Sequence, residues 1–208
     1  MSQTARAHVL DRLIGDTLPA LATLDEVAAF EAQAPWADRV AAASTYDALR
    51  LGAALNPDAP ALVFLPEASI DDTPITLTHA QFIAQVTQAG NLFHRLGVGA
   101  DDVVSLLLPL VPQAFVALYG AQVVGVANPV NAMLSAAQLA EILRAAGTKV
   151  LVTVGPKAGA EIWDKVQAIR HELPLLKAVL VVGGAGDTAT ASDDFDTLLA
   201  REPATHLL

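Results

Sequence analysis

Four short apolar runs, separated by helix-length segments, constrain this chain more than anything else in it. They are VVSLLL (103–108), VANPV (126–130), KVLVTV (149–154) and AVLVV (178–182). Between them lie residues 112–125, which begin with proline; AAQLAEILRAAG, behind Ser135 as a cap and closed by Gly147; and AEIWDKVQAIRHEL, stopped by Pro174. A strand buried on both faces reads as a continuous apolar run, whereas a half-buried strand alternates. Repeated strand–helix–strand units connect through right-handed crossovers and build a parallel sheet. The expected fold class is therefore α/β: a parallel βαβ sheet flanked by helices.

Upstream the pattern is different. ALVFL (61–65) and ITLT (75–78) read as short strands across the polar, proline-containing EASIDDTP, which suggests a hairpin or a paired edge. Thr78 is placed to cap a long helix in which Phe82, Val86, Ala89, Phe93 and Leu96 recur at spacings of three and four, on one face. Gly97 suits the left-handed position after it. Earlier still, TLDE (23–26) has the form of a capping box before VAAFEAQ, with Pro35 ending that pattern, and Ser44 or Thr45 caps YDALRLGAAL. Residues 1–43 are expected to form a helical N-terminal extension, and residues 44–208 the α/β unit.

Composition narrows the function. Only 16% of residues are charged, against 53% hydrophobic, so much of the chain must be buried and disorder is excluded as a global reading. A net charge of −10 without a basic run argues against nucleic acid and against an anionic membrane surface. The absence of cysteine removes disulfides, thiolate metal sites and thiol nucleophiles. The uncharged stretch 103–140 is interrupted by Pro109, Pro112, Gln113, Gln122, Asn128, Pro129 and Asn131, so no integral membrane span is expected. The N-terminus has no signal-peptide core, and a cytoplasmic location is expected.

Single motifs are weak. Gly184, Gly186 and Ala189 have the G-x-G-x-x-A spacing of a dinucleotide loop. The context is wrong: such a loop follows the first strand of a βαβ unit, with an acid beyond a second strand. Asp187, Asp193, Asp194 and Asp196 around it would repel a pyrophosphate. A turn, with Ser192 capping the short helix DDFDTLLAR, is the better reading. His8, His79, His94, His171 and His206 form no metal-binding pair. Asp71–Asp72 and Asp101–Asp102 read as solvated turns, because adjacent residues do not face one another as a catalytic pair must. Ser105 and Ser135 lack a nucleophile elbow. Trp36 and Trp163 read as packing residues. No catalytic, cofactor-binding or metal-binding residue is assigned.

The ordered series over residues 44–182 nonetheless resembles a family. Leu77-Thr78 before a long helix, Leu96-Gly97-Val98, Asp102, Val104, Pro109, Gly125 and Pro129, then Ser135, Leu139 and Ile142, then Lys149-Val150-Leu151-Val152, are similar to the N-terminal part of the adenylate-forming (AMP-binding) superfamily. The stretch 75–182 is most similar in style to bacterial fatty-acyl-CoA synthetases. His79, Asp101, Val103 and Leu110 stand where Tyr, Gly, Arg and Asn are usual.

The resemblance implies an incomplete N-terminal subdomain of the adenylate-forming fold. It also implies a parent that is an ATP-dependent acyl-CoA ligase, using ATP, Mg²⁺ and CoA on a carboxylic, expectedly fatty, acid. The family's glycine-rich phosphate loop and catalytic lysine are not found in this sequence, so the chain alone is expected to bind none of these cofactors and to be inactive. Self-association through apolar surface is expected as well. A non-catalytic α/β binding module is the alternative.

Overall fold

The computed structural model describes residues 21–40, 42–184 and 194–208. The chain divides into two compact units, Met1–Ala59 and Pro60–Leu208.

In the first unit, α1 (Leu24–Glu31) starts at the anticipated capping box: the Thr23 side chain accepts from the N–H of Glu26, and the Glu26 carboxylate accepts from the N–H of Thr23. Pro35 does not merely end this pattern. It precedes a further short helix, α2 (Trp36–Arg39), because proline's fixed φ suits the entry to a helix. Arg39 lies over the Phe30 ring at 4.1 Å and donates to the Phe30 carbonyl. Trp36, expected to pack, is instead 76% exposed, since a helix of four residues has too little surface to cover it. Ser44 caps α3 (Thr45–Leu55).

The second unit opens with an antiparallel pair, β1 (Pro60–Phe64) and β2 (Ile75–Thr78). The long helix α4 (His79–Arg95) follows, capped by Thr78 in a reciprocal box with Gln81. Of its anticipated core face, Phe82, Val86, Ala89 and Phe93 are buried, while Leu96, at the C-cap, is only half-buried. Gly97 has φ +82°, the left-handed turn that residues with a Cβ avoid. Then come β3 (Val103–Leu107), α5 (Pro112–Val124), β4 (Val126–Pro129), α6 (Ala136–Ala145), β5 (Thr148–Val154), α7 (Pro156–Ile169), β6 (Ala178–Val182) and α8 (Phe195–Leu199).

All four strands of the second sheet run parallel, in the order β4-β3-β5-β6. Helix α7 begins earlier than the sequence pattern suggests. Pro156 opens a first turn that breaks at Gly159, and the regular helix resumes after it. Trp163 is buried among Leu139, Leu143, Leu151, Val166 and Val179, so it packs as expected. Helix α8 starts at Phe195 and is capped by Asp194, not by Ser192, which lies outside the described residues.

Two polar devices tie the unit together. Ser105 Oγ sits 2.7 Å from Thr148 Oγ1 and accepts from Asn128 Nδ2 at 3.0 Å, linking β4, β3 and the start of β5. On α4, buried Asn91 donates to the carbonyls of Pro203 and His206 and accepts from the N–H of Leu208, while Arg95 holds both oxygens of Glu202.

Candidate functional site

The strand order decides where a ligand can enter. From β3 the chain crosses through α5 to β4, at one edge. From β4 it returns through α6, past β3, to β5, and continues through α7 to β6. Right-handed crossovers in opposite directions put α5 on one face and α6 and α7 on the other. The turns that follow β3 and β5 therefore part toward opposite faces. Open α/β sheets hold ligands in the crevice outside the carboxyl ends of the strands at such a reversal.

A cavity of about 640 Å³ occupies that place. The turn after β3 contributes Pro109, Val111, Pro112 and Gln113; the end of β5 and the start of α7 contribute Val154 and Ala158; β6 contributes Val182 and Gly183. Phe64, Ile75 and Leu77 of the hairpin, Gln85 and Gln88 of α4, and Asp196, Leu199 and Ala200 from α8 and the residue after it complete the lining. Gly183 and Gly184, with φ +80° and +86°, turn the chain away from the end of β6, and a Cβ on Gly183 would stand 2.8 Å from that of Ala158.

The one ionisable residue among these lining residues is Asp196. Gln113 Nε2 reaches both of its carboxylate oxygens at 3.3 Å, long contacts for a hydrogen bond. Asp196 is an exposed residue, and partial desolvation at the crevice pushes its carboxyl above its ordinary value; Gln113 opposes this in part, and the nearby Asp194 charge adds to it. Nothing in the sequence announces this pair, whose members lie 83 positions apart.

A second, apolar recess of about 290 Å³ lies beside the end of β4, lined by Leu106, Leu108, Leu110, Phe115, Leu118 and Pro129 among others. Leu110 and Met133 are 79% and 89% exposed.

Asp102 corrects one expectation. It is not a free residue of a solvated turn: its Oδ2 accepts from the N–H of Gly99 at 2.8 Å and from Lys149 Nζ at 2.6 Å. The register explains the pairing. Val103 pairs Thr148 and Val104 pairs Val150, so Lys149 is the extra residue of a bulge in β5. The lysine hydrogen bond, then the Gly99 N–H, hold the Asp102 carboxyl below its usual value. Asp72, by contrast, accepts from the N–H of Glu67 in an exposed turn, as expected.

His79 opens α4, His94 lies in its last turn, His171 sits in the turn after α7, and His206 lies in the C-terminal segment. Gly186, Asp187, Ala189 and Asp193 of the glycine-rich stretch, with His8, lie outside the described residues. Among the described residues no group of three or more His, Asp or Glu can hold a metal ion. No helix there is long and apolar enough to cross a membrane. Among the described residues, the lining of the larger cavity does not fit MgATP either: it carries no lysine or arginine, and its ionisable member is a carboxylate. Phosphate recognition needs convergent N–H donors or cations.

Comparison with known proteins agrees with the sheet. The AMP-binding enzyme family matches residues 49–205, and the chain belongs to that family. It is 30% identical over 169 residues to the marinolic acid–CoA ligase of Pseudoalteromonas sp. (strain SANK 73390), covering 81% of this chain and 25% of that protein. It is 34% identical over 116 residues to an acetyl-coenzyme A synthetase of Deinococcus radiodurans, covering 53% of this chain and 18% of that one. Among solved structures, the acetoacetyl-CoA synthetase from Streptomyces lividans superposes with a TM-score of 0.66 at 28% identity, over 79% of this chain and 26% of that chain. A Mycobacterium tuberculosis fatty acyl CoA synthetase gives 0.62 at 25% identity, over 77% and 29%. The chain thus spans about a quarter of the length of the first curated relative it matches.

Proposed function

We propose that this chain is the N-terminal α/β scaffold of an ATP-dependent acyl-CoA ligase acting in the cytoplasm. Such an enzyme joins a carboxylate to AMP, releases pyrophosphate, and passes the acyl group to the thiol of CoA with release of AMP. A fatty acid is the substrate class we favour. The observation that carries the reading is the family match over residues 49–205, together with relatives that are themselves CoA ligases and synthetases. The chain's own residues supply the sheet and the walls of the crevice. Among the described residues they supply no phosphate-binding cations there, so we assign the chain alone no chemical step.

Two assays test this. The full-length gene product that carries this sequence should release AMP and form acyl-CoA in a carboxylate-dependent manner across short, medium and long acids. The 208-residue chain by itself should show no pyrophosphate exchange above the protein-free blank. Absence of activity in the first assay overturns the ligase reading. Exchange by the short chain, abolished by heating and retained through repurification, overturns its assignment as a scaffold.

A further inference from the structure

We propose that the outer side of α5, with the apolar recess beside it, is the docking surface for the parent's chain beyond Leu208, and that the segment seated there presents an apolar, uncharged face. This docking rests on the reading of the chain as one part of a longer protein, and not on that protein's activity. The two faces of the sheet are finished differently. On one, α6 and α7 turn Gln138, Glu141, Arg144, Glu161 and Asp164 to solvent. On the other, α5 has no Asp, Glu, Lys, Arg or His in its 13 residues. Val116, Ala117, Gly120 and Ala121 are buried on its inner side. Phe115, Leu118 and Gln122, three and four positions apart, form a stripe on the opposite side, where Phe115 and Gln122 are exposed and Leu118 is half-buried. A surface helix keeps a charged or polar outer face, and one that is apolar on nearly every side belongs to an interior. The recess of about 290 Å³ continues the stripe, since Phe115 and Leu118 line it with Leu106, Leu108 and Leu110. Among the described residues its lining holds no ionisable group. A contiguous apolar surface of this kind marks an interaction site, and nothing on it would pair a charge on the occupant.

The position of Leu207 and Leu208 selects the occupant. A Cβ on Gly90 of α4 would stand 3.0 Å from Val123 Cγ1 of α5 and 3.5 Å from Leu207 Cδ2, so Leu207 lies beside the last turn of α5. Asn91 holds the next residue there through the N–H of Leu208. From Val123 back to Phe115 is eight residues of helix, about 12 Å, which about four extended residues span. The chain covers 25% of the first curated relative, so most of a parent of that length lies outside it. A segment tethered at Leu208 meets the stripe at high effective concentration, whereas a second copy must find it by diffusion.

Phe115→Cys tests this, because the 208-residue chain has no cysteine of its own. Glu141→Cys, on the polar outer side of α6, is the control. Each substitution is made in the 208-residue chain and in the full-length parent, and labelled with a maleimide at submicromolar concentration, with the unsubstituted parent as background. Position 115 should label in the short chain and lose labelling in the parent, while position 141 labels in both. In the parent, Phe115→p-benzoylphenylalanine, which keeps an aromatic side chain there, should crosslink on irradiation to a peptide from beyond residue 208. Equal labelling of position 115 in the two proteins overturns the proposal. So does protection in the parent that disappears on dilution, which assigns the face to a second copy, or a crosslink confined to residues 1–208. Acyl-CoA formation is measured separately. A parent protected at position 115 but inactive keeps the docking and loses the ligase reading, and an active parent open at position 115 does the reverse.

Discussion

The side-chain oxygen of Asn91 accepts the backbone N–H of Leu208 at 2.9 Å, across 117 positions of sequence. The same amide donates to the carbonyls of Pro203 and His206 at 2.8 and 2.9 Å, so its two donors and its oxygen are all engaged with one returning segment. Asn91→Leu removes these bonds while keeping an apolar side chain of similar size, and a loss of about 1–3 kcal/mol is expected. Asn91→Asp should cost more, because a carboxylate would face two carbonyl oxygens. Thermal melts check the loss. Faster amide hydrogen exchange confined to residues 202–208 would show that the segment, not the core, has come free.

Gly120 of α5 faces Ala89 of α4 with no space for a Cβ between them. Gly120→Ala should therefore destabilise by about 1–3 kcal/mol, the usual cost of overpacking, despite alanine's better helix propensity. Gly52, whose Cβ would meet nothing within 4 Å, is the control in an equally helical position, and Gly52→Ala should be neutral or stabilising. Urea unfolding of the two variants gives the comparison. Equal midpoints would remove close packing as the reason for glycine at position 120.

Ser105 serves two neighbours, Asn128 and Thr148, inside the sheet. Ser105→Ala leaves both without this partner and should cost about 1–3 kcal/mol. Adding Thr148→Val should recover part of that loss, because one stranded hydroxyl is then gone. A double-mutant cycle measures the coupling between the hydroxyls, and strictly additive effects would show that their contact contributes nothing to stability.

Two aspartates respond to pH with opposite sign. The Asp102 carboxyl is held below its usual value, chiefly by Lys149, so its stabilisation is present above the ordinary aspartate range and is lost as pH falls through the lowered value. Asp102→Asn should thus lower the melting temperature at neutral pH, by an amount that shrinks on acidification. The Asp196 carboxyl is raised by partial desolvation, although the residue is exposed, so a small contribution is intact below the ordinary range and is lost as pH rises through the raised value. Asp196→Asn should raise the melting temperature at neutral pH and have less effect in acid. Melting curves from neutral pH down into the carboxylate range test both.

Self-association is the expected behaviour of a chain that exposes Leu110 at an apolar recess and Met133 two residues beyond its lining residue Asn131. Light scattering at tens of micromolar should find dimers or larger species, and Leu110→Glu with Met133→Glu should shift them to monomer. A sharp monomer in the unsubstituted chain would count against this.

The sheet was legible because its strands are mainly apolar runs between helix-length segments, and β6 occupies the residues of AVLVV without adjustment. Caps were legible where one side chain signals a boundary, at Thr23, Ser44, Thr78 and Ser135. The reciprocal glutamines, Gln81 and Gln138, went unread, although each stands three residues beyond its cap. The start of α7 was obscured by Gly159, which interrupts the helical period between Pro156 and the regular turns. The site was least legible. Gln113 and Asp196, like Asp102 and Lys149, meet only after the chain has crossed the sheet, and no local spacing encodes such a meeting. A bulge of one residue turned an apparent surface aspartate into an ion-paired one.

The reversal of strand order separates two kinds of inheritance. The residues that hold the sheet, such as Val104, Val150, Val152 and Leu180, lie within strands and are fully buried or nearly so. Much of the crevice lining instead comes from strand ends, turns and helix starts, as with Val111, Gln113, Ala158 and Gly183. Substitutions there touch few core neighbours, so a lineage can exchange them while the sheet stays in register. Descendants of one such scaffold should diverge fastest where they meet their ligands and slowest where no ligand reaches.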